Sequence, residues 1–388
     1  MYRRGWMTAQ ECLPWPSGAQ ALLLQAAIAP DEDVIPAFLA WQKLVDLDDH
    51  IDGGSFRLLP MVYDRLRRLG STDPLMGRLK GVYRKAWSEM QTLLHATAPA
   101  LAALHDAGVP TMLIKGAPLA LSIYPSVAAR PMMDLDIVVR KPDVAKAKQV
   151  LHTCGWLDTT RLPPEEMPEA HSAELHNAGS HDIDLHWHPL RDTPARVADE
   201  WFWHGAEPLD FVGTPTLQPR PTAQLLHTVI HGLRSNPEPP VRWIADAMTI
   251  LRAKGDTIDW QDLTSFTAQQ KLSYRLHLGL SFLATHYRAP IPQAVLARLQ
   301  RDGISLVERV ENIVYLGNAE QMYRPFLYPL IDYCRYSRNM PLGAFLRGYA
   351  ECLQRRWRLG HPAQIPLAAT AVIGRNAAKL LARGAPAR

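Results

Sequence analysis

Asp134 and Asp136 stand two residues apart in the run Asp134-Leu135-Asp136-Ile137-Val138-Val139. Val and Ile favour extended backbone, so the run is expected to form a strand, on which residues two apart share a face. Both carboxylates then point one way, while Leu135 and Ile137 enter the core. Like charges this close repel, and burial without a counter-ion would raise their pKa values. A divalent cation removes the conflict. Carboxylate oxygens are the hard ligands that Mg2+ (or Mn2+) prefers, and triphosphate oxygens complete the shell. An Asp-x-Asp pair is common on exposed strands, so its meaning depends on what surrounds it.

Upstream, Lys115-Gly116 follows a short apolar run and opens a helix, where backbone N–H groups can hold phosphate and the lysine adds a point charge. Arg130 lies four residues before Asp134. Its guanidinium fork fits either the carboxylates or a phosphate oxygen, and sequence does not separate the two. Downstream, Asp182-Ile183-Asp184-Leu185-His186-Trp187-His188 alternates strictly, placing Asp182, Asp184, His186 and His188 on one strand face. Asp184, flanked by apolar neighbours, is the better third carboxylate, and Asp182 belongs at the strand's mouth. Two metals about 3.5–4 Å apart could then stabilise the entering and leaving oxygens of an in-line displacement. His186 is a candidate to orient Asp184 or touch phosphate; the plain alternative is a half-buried strand histidine.

The segments Leu113-Ile114-Lys115-Gly116, Tyr124-Pro125, Arg130, Asp134 to Val139 and Asp184-Leu185-His186-Trp187 together resemble the uncharacterised bacterial nucleotidyltransferase family of the polymerase-β-like superfamily. The resemblance extends to Leu225-Leu226-His227, His231 and Arg242-Trp243-Ile244-Ala245-Asp246, covering roughly residues 20–260. It implies Asp134 and Asp136 as paired metal ligands, Asp184 as the third catalytic acid, and Lys115, Gly116, Arg130 and His186 at the nucleotide, ATP being one candidate. The reaction implied is transfer of a nucleoside monophosphate from an NTP to a hydroxyl, with pyrophosphate released. The chain departs from the superfamily at Lys115-Gly116-Ala117, where no Ser follows the Gly, so the phosphate grip is expected to differ.

The elements that must position these residues can also be read. The strands expected are 111–114, 135–139 and 182–187, with helices over 117–124 and over 144–154, the latter closed by Gly155. This gives a small α/β unit. Apolar residues at three-to-four spacing predict helices over 19–28, 35–47, 56–69 and 75–104 before it. After it, helices are expected over 222–233, 242–254, 260–270, 273–286 and 292–302. The expectation is an α+β, predominantly helical fold: an N-terminal helical region (1–104), a small mixed-sheet nucleotidyltransferase core (105–220) and a C-terminal helical region (221–388).

Composition sets outer bounds. The 388 residues are 47% hydrophobic and 21% charged, as in an ordinary globular protein. Net charge is only +4, but residues 321–388 carry 11 Lys/Arg against Asp332 and Glu351. Such a tail suits a solvated surface or an anionic partner. Cys12, Cys154, Cys334 and Cys352 form no CxxC pair, which fits a reducing cytoplasm. Gln20 and Gln25 interrupt the apolar run after Arg3 and Arg4, and residues 366–381 contain Arg375, Asn376 and Lys379, so neither signal core nor membrane segment is expected. Expected partners are thus an NTP and an acceptor that is a small molecule, peptide or protein; support for nucleic acid is weak, and a membrane is not expected. Two other readings exist. A zinc hydrolase could use His186-x-His188, but His227 and His231 lack the Glu of a His-Glu-x-x-His motif. A regulatory or nucleotide-binding protein with a degenerate core would ordinarily have lost one of the three acids.

Overall fold

The computed structural model describes residues 15–49, 51–158, 170–234, 241–301, 305–316, 324–337 and 340–384. Among these, seven strands form one mixed sheet: β1 (Thr111–Leu113), β2 (Asp134–Val139), β3 (Leu157–Asp158), β4 (Ser172–His176), β5 (Asp182–His186), β6 (Glu207–Phe211) and β7 (Thr214–Gln218). Their order is β3-β4-β5-β2-β1-β7-β6. β2 lies antiparallel to β1 and parallel to β5, so the strands carrying the acids are neighbours.

Helices surround this sheet, and the fold is α+β and mostly helical. Before β1 come α1 (Gly18–Ile28), α2 (Asp31–Gln42), α3 (Gly53–Phe56), α4 (Leu59–Arg68) and α5 (Met76–Asp106). Within the sheet region lie α6 (Gly116–Ser122), α7 (Val144–Thr153) and α8 (Arg196–Trp203). After β7 follow α9 (Pro221–Gly232), α10 (Arg242–Lys254), α11 (Trp260–Gln270), α12 (Ser273–Tyr287) and α13 (Gln293–Arg301). The series ends with α14 (Leu306–Leu316), α15 (Arg324–Tyr336), α16 (Leu342–Arg356) and α17 (Ile365–Gly384). The expected helix 56–69 is divided at Arg57-Leu58 into α3 and α4, and the expected 35–47 begins at Asp31 and stops at Gln42.

Strand alternation decides which way the acids face. Leu135, Ile137 and Val139 share a core with Leu113, Ile183 and Leu185, packed under Leu93, Leu101 and Leu104 of α5 and Leu151 of α7. Val138, on the opposite face with Asp134 and Asp136, belongs instead to a core that also holds Met112 and Ile114. That second core joins Leu23 and Trp41 of the N-terminal helices to Leu225, Ile244 and Leu276 of the C-terminal ones. Helices from both ends of the chain therefore cover the acid-bearing face.

Close helix contacts fix this cover. A Cβ on Gly232 of α9 would lie 2.2 Å from Cβ and Cγ of Trp243, and one on Gly279 of α12 would lie 2.4 Å from Val229 Cγ1. Only glycine lets α9, α10 and α12 approach so closely. A buried ion network extends the anchoring. Arg275 Nη1 donates to Asp192 Oδ1 at 2.8 Å, Arg234 Nε donates to Asp192 Oδ2 at 3.0 Å, and Arg335 Nη1 donates to the Asp192 carbonyl at 2.9 Å. Arg335 also pairs with Glu311 of α14. At least this arginine of the basic C-terminal segment is turned inward rather than toward a polyanion. Cys154, Cys334 and Cys352 are free thiols, whereas Cys12, Arg3 and Arg4 lie outside the described residues. Among the described residues no helix is long and apolar enough to cross a membrane.

Candidate active site

The parallel register of β2 and β5 pairs Asp134 with Asp182 and Asp136 with Asp184. All four carboxylates thus stand on the face opposite Leu135 and Ile183. Asp182 is taken up by His176, whose Nδ1 contacts Oδ1. Asp184 instead faces Asp136, and His186 joins them: its Nε2 is 2.9 Å from Asp136 Oδ1 and 3.0 Å from Asp184 Oδ2. Ligand atoms of Asp136, Asp184 and His186 all lie within 4.8 Å of one another. Two hard carboxylate oxygens and an imidazole nitrogen fit a divalent cation. His186, expected to orient Asp184 or touch phosphate, stands against both acids, while Asp134, expected as a ligand, is not in this group of three.

Lys115 enters from the turn after β1. The Ile114 N–H donates to the Asp136 carbonyl at 3.2 Å, which extends the β1–β2 pairing to the turn itself. The Lys115 ammonium then donates to Asp136 Oδ1 and lies 3.7 Å from Asp184 Oδ2. Its backbone sits at φ 57, ψ −117, a conformation suited to glycine. Lysine in that position carries backbone strain, and strain of this kind gathers at functional sites. Gly116 follows with Met132 against it: an added Cβ would lie 2.9 Å from Met132 Sδ and 3.4 Å from Arg130 Nη1. α6 itself offers less to phosphate than its sequence suggests. It is seven residues long, and Pro118 removes one of its first N–H donors.

Electrostatics divide the acids. Burial would raise the Asp136 pKa, but Lys115 and His186 outweigh it and hold the carboxyl below its usual range. Burial likewise opposes ionisation of Asp184, yet His186 and Lys115 keep it well below the ordinary carboxylate value. Asp134 behaves oppositely: burial and the Asp136 charge push it up to about 6, with Lys115 only partly offsetting them. Around the trio lie neutral imidazoles. Burial, aided by Lys115, lowers His227 to about 3 and His231 well below its ordinary value. Burial and the charge of His186 do the same to His171, whose ring centroid is 5.6 Å from that of His186.

Arg130 does not pair with Asp134 or Asp136. Its Nε donates to Asp246 Oδ1 of α10 at 2.7 Å, and the Tyr124 hydroxyl donates to the same oxygen at 2.7 Å. Tyr124, Arg130 and Asp246, scattered over more than a hundred residues, form one buried knot beside the Lys-Gly turn.

A family model described as an uncharacterised nucleotidyltransferase matches residues 55–288. The chain belongs to this family. The matched stretch runs from α3 to just beyond α12 and includes Lys115, the three acids, His186, Arg242 and Asp246. No curated protein matches the chain. Membership makes the protein a nucleotidyltransferase, an enzyme that moves nucleotidyl groups and takes an NTP as substrate. Nucleotidyltransferases usually use divalent metals, and the Asp136–Asp184–His186 cluster is suited to hold one. Arg242 also reaches this region, donating to the Pro131 carbonyl, and in the sequence it belongs only to the resemblance. Its signal was the Arg242-Trp243-Ile244-Ala245-Asp246 run, which does not reveal that Asp246 is engaged by a different arginine.

Proposed function

We propose that this nucleotidyltransferase transfers a nucleoside monophosphate from an NTP, with Mg2+ or Mn2+, to a hydroxyl-bearing acceptor. The observation that carries the reading is the register of Asp136 with Asp184 on adjacent parallel strands, with Lys115 and His186 against both carboxylates. Asp136 and Asp184 would hold the cation, with Asp134 beside them as a further carboxylate and His186 as a ligand or as the group orienting both acids. The bound cation supplies charge neutralisation at phosphate oxygens and lowers the pKa of a coordinated hydroxyl.

The protein's own share is mainly positioning. Lys115 would move its charge between the carboxylates and the phosphates, and Gly116 lets Met132 and Arg130 pack against the turn. As the acceptor oxygen bonds to the α-phosphorus, the bond from that phosphorus to the bridging oxygen breaks and pyrophosphate leaves. The hydroxyl proton passes to solvent. Asp184, kept ionised by His186 and Lys115, suits a ligand better than a base.

The test is incubation with each α-labelled NTP and Mg2+ or Mn2+, with the host's soluble extract as acceptor source. Pyrophosphate release with label transfer is expected for the wild type, and its loss in Asp136→Asn and Asp184→Asn. Full activity in those variants would refute the assignment.

A further inference from the structure

The knot around Asp246 contains more cation than anion. Asp246 Oδ1 is taken by Tyr124 and Arg130. Arg130 Nη1 also donates to the Pro131 carbonyl at 3.2 Å, and Arg242 Nη1 donates to that same oxygen. Two guanidiniums therefore converge on one carbonyl, with one carboxylate to balance them. No carboxylate of the described residues lies within ion-pairing distance of Arg242. Desolvation and the neighbouring Arg130 charge lower the pKa of this half-buried arginine to about 9, with Asp246 offsetting them only in part. Holding the Pro131 carbonyl does not require two charges, since Arg130 already donates there.

The position of this surplus matters. Pro131 is three residues before Asp134, and the Arg242 charge is felt by the Asp134 carboxyl. Arg130 Nη1 lies 3.4 Å from where a Gly116 Cβ would stand, which sets the guanidinium pair against the Lys-Gly turn. Arg242 opens α10, a 13-residue helix with no acidic residue in its first turn, so the helix dipole adds to the positive potential. Asp134 in turn shares its strand face with Asp136 and, through the register of β2 with β5, with Asp184.

We infer that Arg242 binds the β,γ-phosphates of the NTP, the part that leaves as pyrophosphate, from outside the sheet core. The inference rests on the triphosphate reading above and gives the site a polarity: leaving group toward α10, acceptor toward Asp184 and His171. Arg130 would act as a positioning residue, aiming Arg242 through the shared carbonyl while Asp246 holds it in place.

The test compares wild type, Arg242→Gln and Arg242→Lys by calorimetric titration with the preferred NTP, its monophosphate and inorganic pyrophosphate, all with Mg2+. Loss of one charge-assisted phosphate contact corresponds to about 10- to 100-fold. Arg242→Gln is expected to weaken NTP and pyrophosphate binding by that factor while leaving the monophosphate within about twofold. Arg242→Lys is expected to fall between. A merely structural arginine would weaken all three ligands together, and that result would overturn the inference, as would unchanged NTP binding. Should Arg242→Gln not fold, the same split between pyrophosphate and monophosphate in Arg242→Lys decides the matter. Wild type that binds no NTP would overturn the functional reading and this inference together, which distinguishes that failure from a failure of Arg242 alone.

Discussion

Replacing Lys115 by Gly and, separately, by Ala separates its backbone from its charge. Both variants remove the ammonium from Asp136 and leave that buried carboxylate with His186 as its close partner. That cost is common to the two and cancels in their difference. What remains is the backbone at φ 57, ψ −117. A residue with a Cβ held in such a sparsely populated region costs roughly 1–3 kcal/mol, which glycine avoids. Glycine returns about 0.4–1 kcal/mol of that through the greater freedom of its unfolded chain. Lys115→Gly should therefore exceed Lys115→Ala in stability by about 0.5–2 kcal/mol, or roughly 0.6–2.5 °C in thermal midpoint for a chain of 388 residues. The assay is thermal unfolding of both variants in parallel without nucleotide, followed by NTP titration. Both should bind NTP equally poorly, since neither carries the ammonium. An alanine variant as stable as the glycine one would refute the strain argument; NTP binding kept by both would refute the phosphate role of Lys115.

Asp134 makes stability depend on pH. Its folded pKa, about 6, lies above the ordinary 3.8, so the folded chain holds this proton more tightly than the unfolded one. The stability linked to it is full below about pH 4 and is lost as pH rises toward 6, at most about 3 kcal/mol. In a chelator, Asp134→Asn should accordingly be more stable than wild type at pH 8 and equal to it near pH 4; an advantage independent of pH would contradict the assignment. Gly232→Ala should lose about 1–3 kcal/mol in denaturant unfolding, because its Cβ would meet the Trp243 Cβ at 2.2 Å and push α9 from α10; a neutral result would mean the helices are not so closely packed. Asp192→Ala should cost about 3–5 kcal/mol by the same measurement, since it takes the nearest carboxylate from buried Arg275 and from Arg234; a loss below 1 kcal/mol would show the network to be dispensable.

Much of the chemistry was legible because strand alternation is a strict rule. Two aspartates two apart had to share a face, and Ile183 and Leu185 fixed the face of Asp184. The strands missed were those whose local signals conflict with their role. β6 and β7 contain Pro208 and Pro215, which argue against sheet, yet β6 is an edge strand and β7 meets β1 at Leu217, away from Pro215. Their turn, Val212-Gly213, has positive φ at both residues, as a two-residue hairpin requires, but Val is a poor advertisement for it. β4 was hidden because Ser172, Glu174 and His176 leave only Ala173 and Leu175 as its buried face, too short a hydrophobic run to stand out. The partner of Arg130 was beyond local reading: Asp246 is 116 residues away, and only tertiary packing brings α10 to the turn. The same limit applied to His186: orienting Asp184 was legible from the shared strand, whereas its contact with Asp136 depends on the β2–β5 register.

The most direct test is equilibrium binding of a non-hydrolysable NTP to wild type and Asp136→Asn, each with Mg2+ and with chelator. Tight binding by wild type that requires the metal, and its absence in Asp136→Asn under both conditions, is the result predicted. Equal binding by the two proteins, or wild-type affinity indifferent to the chelator, would contradict a carboxylate-held cation as the centre of the site.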